Sequence, residues 1–263
     1  VLPVLLHFGP LYVYTYGVLI ALGGVFSAMF WKSRVAKIGI KKDEDFWLLV
    51  NVILISGFLG GRILFLFEYT GLFSPEFWSD AFSLNRGFSV MGAFVGVLCG
   101  VYWFSRRIKT AFLHVLDYVC QAAPVWHFFG RLGCFAAGCC YGRPTDVPWA
   151  VTFTNPASQV DPELLGRHIH PTQLYEAFGN LAIAGLLYRF VLLPTEKGRL
   201  RPGTLCCLYF ILYGGVRFVE EFYRGDAIPL SIGLTAAQGF CLALAAGGLT
   251  VLALIYRKPC TPS

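Results

Sequence analysis

Apolar runs of bilayer-crossing length, about 20 residues each, decide most of what this chain can fold into. Seven stand out, at roughly 11–31, 46–68, 88–104, 111–129, 171–193, 204–223 and 232–256. Lipid offers the backbone no hydrogen-bond partners, so runs of this kind are expected as α-helices. The third, FSVMGAFVGVLCGVYWF, is the shortest, and the fourth carries Asp117 and His127. Only 14% of the residues are charged, against about a quarter in soluble domains, which excludes a soluble enzyme. The expectation is an all-α integral membrane protein with seven transmembrane helices. No repeat or low-complexity stretch divides it, so residues 1–263 read as one polytopic domain. An insertion of residues 130–170 separates helices four and five. The first run lacks a basic n-region and is too long for a cleaved h-region, so it is expected to remain as a span.

Basic residues set the topology. Lys32, Arg34, Lys37, Lys41 and Lys42 follow the first run, and Arg106, Arg107 and Lys109 follow the third. Arg189, Lys197, Arg199 and Arg201 follow the fifth, with Arg257 and Lys258 in the tail. These 14 of the 21 basic residues fall on one side, which the positive-inside rule makes cytoplasmic. The N-terminus is then outside, the C-terminus cytoplasmic and the 130–170 insertion extracytoplasmic. The net charge of +6 is not pooled in one basic domain, which argues against a nucleic-acid partner. The other seven basic residues, Arg62, Arg86, Arg131, Arg143, Arg167, Arg217 and Arg224, are all arginine. A planar, permanently charged fork suits phosphate or carboxylate at an interface.

In that topology the costly polar residues, apart from Asp117, crowd one side. GFLGGRILFLFEY puts Arg62 near the outer end of span two, and LYGGVRFVEEFYRGD puts Arg217, Glu220, Glu221 and Arg224 in the outer part of span six. Tyr213, Arg217 and Glu221 are spaced four apart, as are Glu220 and Arg224, so each set shares a helix face. Tyr14 and Tyr16 lie at the mouth of span one; HPTQLYEA brings His170, Gln173, Tyr175 and Glu176 to the start of span five. An ionisable group at mid-bilayer costs about 2.5–3.5 kcal/mol or more, and so defaults to a functional candidate. The plainer alternative is interhelical glue, with arginines paired to Glu176, Glu220 and Glu221 or snorkelling to headgroups; it weighs most for Arg62 and Arg224. The convergence favours a site for an anionic group in the outer leaflet. In GRLGCFAAGCCYGRPT, Gly130, Gly133, Gly138 and Gly142 suit non-helical backbone around a phosphate, or close helix packing.

GRLGCFAAGCCYGRPT, HPTQLYEA and YGGVRFVEEFYRGD, in this order and on these spans, resemble the prolipoprotein diacylglyceryl transferase family. YTYGVLIALG and GGRILFLFEY are similar to its corresponding segments, and the resemblance runs from about residue 9 to 256. It implies an enzyme of the bacterial cytoplasmic membrane that moves the diacylglyceryl group of phosphatidylglycerol onto the lipobox cysteine of a prolipoprotein signal peptide. A thioether forms and glycerol 1-phosphate leaves, with no cofactor or metal required. By resemblance Arg131 and Arg217 face the phosphate. Tyr16, Gly142, Tyr213 and Glu221 match site positions, as do Arg62, Asp117, His170 with Gln173 and Tyr175, and Arg224.

The chain departs from the family pattern at three places. Met91 stands where many members have a histidine that is a candidate base; Cys134 and Cys139 stand where they have polar and acidic residues. The base is then His170, Tyr16 or Glu221, or the thiol ionises in the field of the arginines. Two rival readings remain: a phospholipid-dependent transferase with another acceptor, and a non-catalytic lipid-binding protein on the same scaffold. Of nine cysteines, Cys99, Cys120, Cys206, Cys207 and Cys241 read as filler within spans. For Cys134, Cys139 and Cys140 packing ranks first, a disulfide second and a metal third, since C-x4-C-C is not a standard ligand spacing. His7, His114 and His127 read as interfacial or hydrogen-bonded within the bundle.

Overall fold

In a computed structural model of the chain, residues 2–9, 11–69, 77, 87–230 and 233–257 are described. Arg86, Lys258 and Cys260 lie outside them. The fold is mostly helical. A hairpin of β1 (Val4–Phe8) and β2 (Leu11–Tyr14) leads into α1 (Thr15–Lys32). Then come α2 (Asp43–Tyr69), α3 (Val90–Arg107) and α4 (Phe112–Ala137). A small antiparallel pair, β3 (Val151–Thr152) with β4 (His168–Ile169), precedes α5 (Thr172–Leu187). A π turn (Tyr188–Leu192) and a last α-helical turn (Leu193–Glu196) prolong α5; α6 (Thr204–Glu220) and α7 (Ala236–Arg257) close the chain. Each apolar run thus corresponds to one of seven long helices. Four of them, α1, α2, α5 with its extension and α7, are long and apolar enough by themselves to cross a membrane. Large apolar side chains such as Phe26, Met29, Ile55, Phe178 and Leu249 are exposed along them, which suits lipid rather than water. The protein is an all-α integral membrane protein.

The first run differs from expectation at its start, because Leu11–Tyr14 is a strand and helix begins only at Thr15. Gly9, at φ +58°, turns the hairpin.

Packing divides the chain into two units, Lys32–Leu116 and Val1–Trp31 with Asp117–Ser263. In the first, α2 opens on Asp43, Glu44 and Asp45, and α3 ends on Arg106 and Arg107, charges that complement the helix dipoles. The two helices meet along small residues. A Cβ on Gly96 would lie 2.1 Å from the Ser56 carbonyl oxygen, and one on Gly60 2.4 Å from that of Gly92. Gly92, Gly96 and Gly100, four apart, make a seam on which only bare backbone fits.

In the second unit, Gly23 of α1 packs under Phe129 and Trp126 of α4. Gly214 of α6 meets the Cys241 carbonyl of α7, while Gly248 of α7 meets that of Cys207. The segment between α4 and α5 has its own small core of Phe153, Val160 and Ile169, flanked by Phe135, Tyr141 and Leu164.

Candidate functional site

Three helices of the second unit supply a buried cluster of opposite charges. Arg131 of α4 reaches Glu176 of α5 at 2.8 Å, and Arg217 of α6 approaches the same carboxylate oxygen at 3.7 Å. Arg217 also bonds Glu220 and Glu221. The Tyr213 hydroxyl lies 3.5 Å from the other Glu176 oxygen, and Thr235 donates to Glu221 at 2.8 Å. Glu176, Glu220 and Glu221 are all buried, as is Arg217. Two guanidinium groups on separate helices are therefore held side by side by carboxylates, with no lysine among them.

Local sequence explains the convergence. Gly130 and Gly133 lie inside α4, which continues to Ala137, so the non-helical backbone expected from residue 130 begins only at Gly138 (φ +82°). Gly133 serves close approach: a Cβ there would lie 2.8 Å from the Tyr16 ring. Tyr16 thus packs on α4 two residues beyond Arg131. Gly142 serves likewise, its missing Cβ leaving room for the His170 carbonyl oxygen at 2.3 Å from that position. Around it the Arg143 N–H donates to Tyr223 O, Gly225 N–H to Tyr141 O, and His170 N–H to Arg143 O. These bonds stitch the end of α6 to the start of α5.

The pairs expected on α6 form only in part. Arg217 does meet Glu221, but the expected Glu220–Arg224 pairing does not hold. The α-helix ends at Glu220, and Arg224, in extended backbone, turns to a bidentate bond with Asp226 at 2.7 and 2.8 Å. Burial would lower the ionisation of Arg224; Asp226 outweighs it and keeps the guanidinium charged. The Arg143 side chain donates to Arg224 O, and Arg167 is exposed. His170 Nδ1 lies 3.1 Å from the Tyr175 hydroxyl, which accepts from the Trp149 indole at 2.7 Å.

Two expected site residues are engaged by other partners. Asp117 is fully buried, but its carboxylate accepts from the N–H groups of Gly203 and Cys206, at 2.6 and 2.8 Å. Gly203 has no side chain to cap α6, so Asp117 satisfies those orphan donors. That is the far end of α6 from Arg217, about 21 Å along the axis at 1.5 Å per residue, so Asp117 stands apart from the arginine cluster. Arg62 belongs to the other unit, as does Met91; its guanidinium bonds Gly87 O at 2.8 Å and lies over the Phe65 ring. His127 is hydrogen-bonded inside the bundle, with Tyr209 at 3.2 Å.

Sequence reasoning treated Glu176 as a pairing partner and missed its central place. The signal was there, since it is the one acidic residue in the fifth apolar run. It placed Gln173 at the start of span five but gave its amide no partner. Its nitrogen donates to Cys139 O at 2.8 Å, while its buried oxygen has no partner among the described residues. A groove of about 410 Å³ opens beside the cluster, lined by Tyr175, Gly215, Val216, Val219, Glu220 and Tyr223. The sulfurs of Cys134, Cys139 and Cys140 lie within 4.8 Å of one another, the set among the described residues with the spacing to hold a metal ion.

Known proteins are similar to this chain over most of its length. A protein from Clostridium tetani (strain Massachusetts / E88), a phosphatidylglycerol–prolipoprotein diacylglyceryl transferase, is 36% identical over 226 residues, 85% of this chain and 86% of its own length. The protein of that name from Proteus mirabilis (strain HI4320) is 31% identical over 289 residues, 99% of this chain and 95% of its own. One from Ehrlichia canis (strain Jake) is 35% identical over 84% of this chain and 82% of its own. The family model for prolipoprotein diacylglyceryl transferase matches residues 3–254, and with nearly the whole chain so matched, this protein belongs to that family.

Proposed function

We propose that the chain transfers the diacylglyceryl group of phosphatidylglycerol to the lipobox cysteine of a prolipoprotein, with Arg131 and Arg217 receiving the phosphate. The single observation behind this is that both guanidinium groups converge from different helices on one carboxylate, Glu176. A bound phosphodiester would share these donors. As the thiol sulfur attacks the glycerol carbon, the C–O bond to phosphate breaks and negative charge grows on the departing glycerol 1-phosphate. Fixed arginines aimed at that oxygen stabilise the charge most in a water-poor site. Glu176, Glu220 and Glu221 hold the forks in place before lipid arrives, so the site need not reorganise during reaction.

The remaining residues take positioning roles. Tyr16 and Tyr213 flank the arginines on α1 and α6; Gly142 and Arg224 brace the outer rim; His170 and Tyr175 border it, joined by their hydrogen bond. The buried Gln173 oxygen is a ready acceptor for a hydroxyl of the lipid's glycerol headgroup. The apolar groove beside Tyr175 and Glu220 suits an acyl chain or an apolar signal peptide entering laterally from the bilayer. Arg62 takes the role of a lipid-headgroup contact.

All seven helices span the bacterial cytoplasmic membrane in this reading, N-terminus outside and C-terminus inside, as the distribution of Lys and Arg supports. The arginine cluster then faces the outer leaflet, where residues 130–170 cap it within a single polytopic domain.

The test is a purified reaction of the chain in phosphatidylglycerol micelles with a lipobox peptide. The expected result is one diacylglyceryl group added per peptide and one glycerol 1-phosphate released. A monodisperse, folded protein that leaves the peptide mass unchanged would overturn the reading.

A further inference from the structure

We infer that the free edge of β2 is the docking strand for the acceptor. The stretch of the prolipoprotein around its lipobox cysteine pairs with β2 in extended form, which brings the thiol to Tyr16 and the arginines. This rests on the transferase reading above and adds to it how the peptide is held.

The edge follows from the hairpin itself. Among the described residues, β1 and β2 pair with each other and with no other strand. In an extended chain, successive main-chain groups face opposite sides. The Thr15 N–H donates to Pro3 O at 3.1 Å, toward β1, and its hydroxyl bonds Leu2 O. Counting back, the Val13 N–H also faces β1, whereas those of Tyr14 and Tyr12 point away from it. Pairs alternate between bonded and non-bonded, so His7, opposite Tyr12, likewise turns its main chain outward, on the free side of β1. The two edges are not equivalent. The register shift between Val4 and Leu6 puts an extra residue in β1, and a bulge blunts an edge; β2 runs on without interruption.

That edge lacks a cover. A two-stranded ribbon is marginal by itself, and an unpaired edge is a template for another chain. Charged residues or proline usually protect such an edge, but LYVY contains neither. Leu5, Leu6, Tyr12 and Tyr14 are exposed on the hairpin, so a partner strand gains apolar contact as well as main-chain bonds.

Where β2 leads identifies the partner. It passes without a linker into α1, and Tyr16, two residues beyond Tyr14, packs on α4. A Cβ on Gly133 would lie 2.8 Å from the Tyr16 ring and 3.3 Å from its Cα. Gly133 is two residues from Arg131, which shares Glu176 with Arg217. A peptide of four extended residues, about 13 Å long, would therefore cover β2 and end at the phosphate clamp. The occupant must bring a thiol to that end and offer main-chain donors and acceptors along the rest. A lipid offers no such alternating groups; an apolar peptide with a cysteine does. Main-chain pairing also fixes how far the cysteine advances while leaving its neighbours free to vary, with specificity carried by alternate side chains.

The experiment measures binding of a fluorescent lipobox peptide to the full-length protein in lipid-free detergent, which needs no transfer. Peptides with one N-methyl group at successive amides around the cysteine should alternate. Every second one is expected to bind about tenfold more weakly, the loss of one main-chain hydrogen bond, and those between to bind as the parent. A series without alternation, or a wild-type protein that binds no peptide, overturns the docking strand. In the protein, Tyr12→Pro deletes an outward donor of β2 and His7→Pro one of β1, each sparing the bonds between the strands. Tyr12→Pro should weaken peptide binding about tenfold and leave KM for phosphatidylglycerol unchanged, while His7→Pro should alter neither. Equal effects of the two variants overturn β2 as the edge used, as does a wild-type dimer that the peptide fails to dissociate. Alternating binding without transfer in phosphatidylglycerol micelles would sink the transferase reading and leave the docking edge standing; transfer without alternation would do the reverse.

Discussion

Glycine does different work in the α2–α3 seam and around the α4–α5–α6 cluster. In the seam, Gly60, Gly92 and Gly96 let two backbones touch, and no ionisable side chain lines these contacts. Around the cluster, Gly133 and Gly142 admit Tyr16 and His170 beside ionisable side chains that would otherwise be costly at membrane depth. Close packing is an end in the first region and a means in the second. Substitutions in the seam should therefore be read as stability, and substitutions in the cluster as chemistry.

The largest expected effect breaks the seam. Gly96→Leu drives a side chain into the Ser56 carbonyl, which has no freedom to yield, and should cost about 3 kcal/mol, the upper end of what overpacking costs. Thermal unfolding in detergent, or the yield of monodisperse protein, reads this directly. Arg217→Lys keeps the charge but loses the planar fork; transfer should fall about 10²-fold, or about 2.7 kcal/mol, with unfolding temperature little changed. Initial rates of glycerol 1-phosphate release measure it. Glu176→Gln removes the charge that holds Arg131, a charge-assisted contact of about 2 kcal/mol, and should raise KM for phosphatidylglycerol more than it lowers kcat. The smallest is Tyr175→Phe, which removes one hydroxyl from the Trp149–Tyr175–His170 chain. A loss of about 1 kcal/mol is expected, seen as a few-fold slower transfer. If Gly96→Leu left stability intact, or Arg217→Lys acted only through stability, the contrast between the two regions would collapse.

Hydropathy made the seven helices legible because lipid admits few alternatives to helix for such runs. The N-terminal hairpin was not, since VLLHFGPLYVYTYG is largely apolar and such a run does not tell strand from helix. The extension of α4 to Ala137 was hidden by Gly130 and Gly133, which read as breaks until Tyr16 is found packed on one of them. Arg131 and Arg217 stood out by type and depth, whereas the partners of Asp117 did not: a buried carboxylate in a span looks the same whether it meets substrate or caps a helix that begins at a bare glycine. Cys134, Cys139 and Cys140 were grouped by sequence, but not the closeness of their sulfurs, because C-x4-C-C gives no standard ligand spacing until a left-handed turn at Gly138 and Cys140 folds it back.

The most direct test of the central claim uses cells depleted of their own diacylglyceryl transferase, supplied with this chain or with Arg131→Ala or Arg217→Ala, and mass spectrometry of a reporter prolipoprotein. The account expects a diacylglyceryl thioether on the lipobox cysteine with the wild-type chain, and an unmodified reporter with either variant present in the membrane at normal level. Full modification by both variants would contradict it.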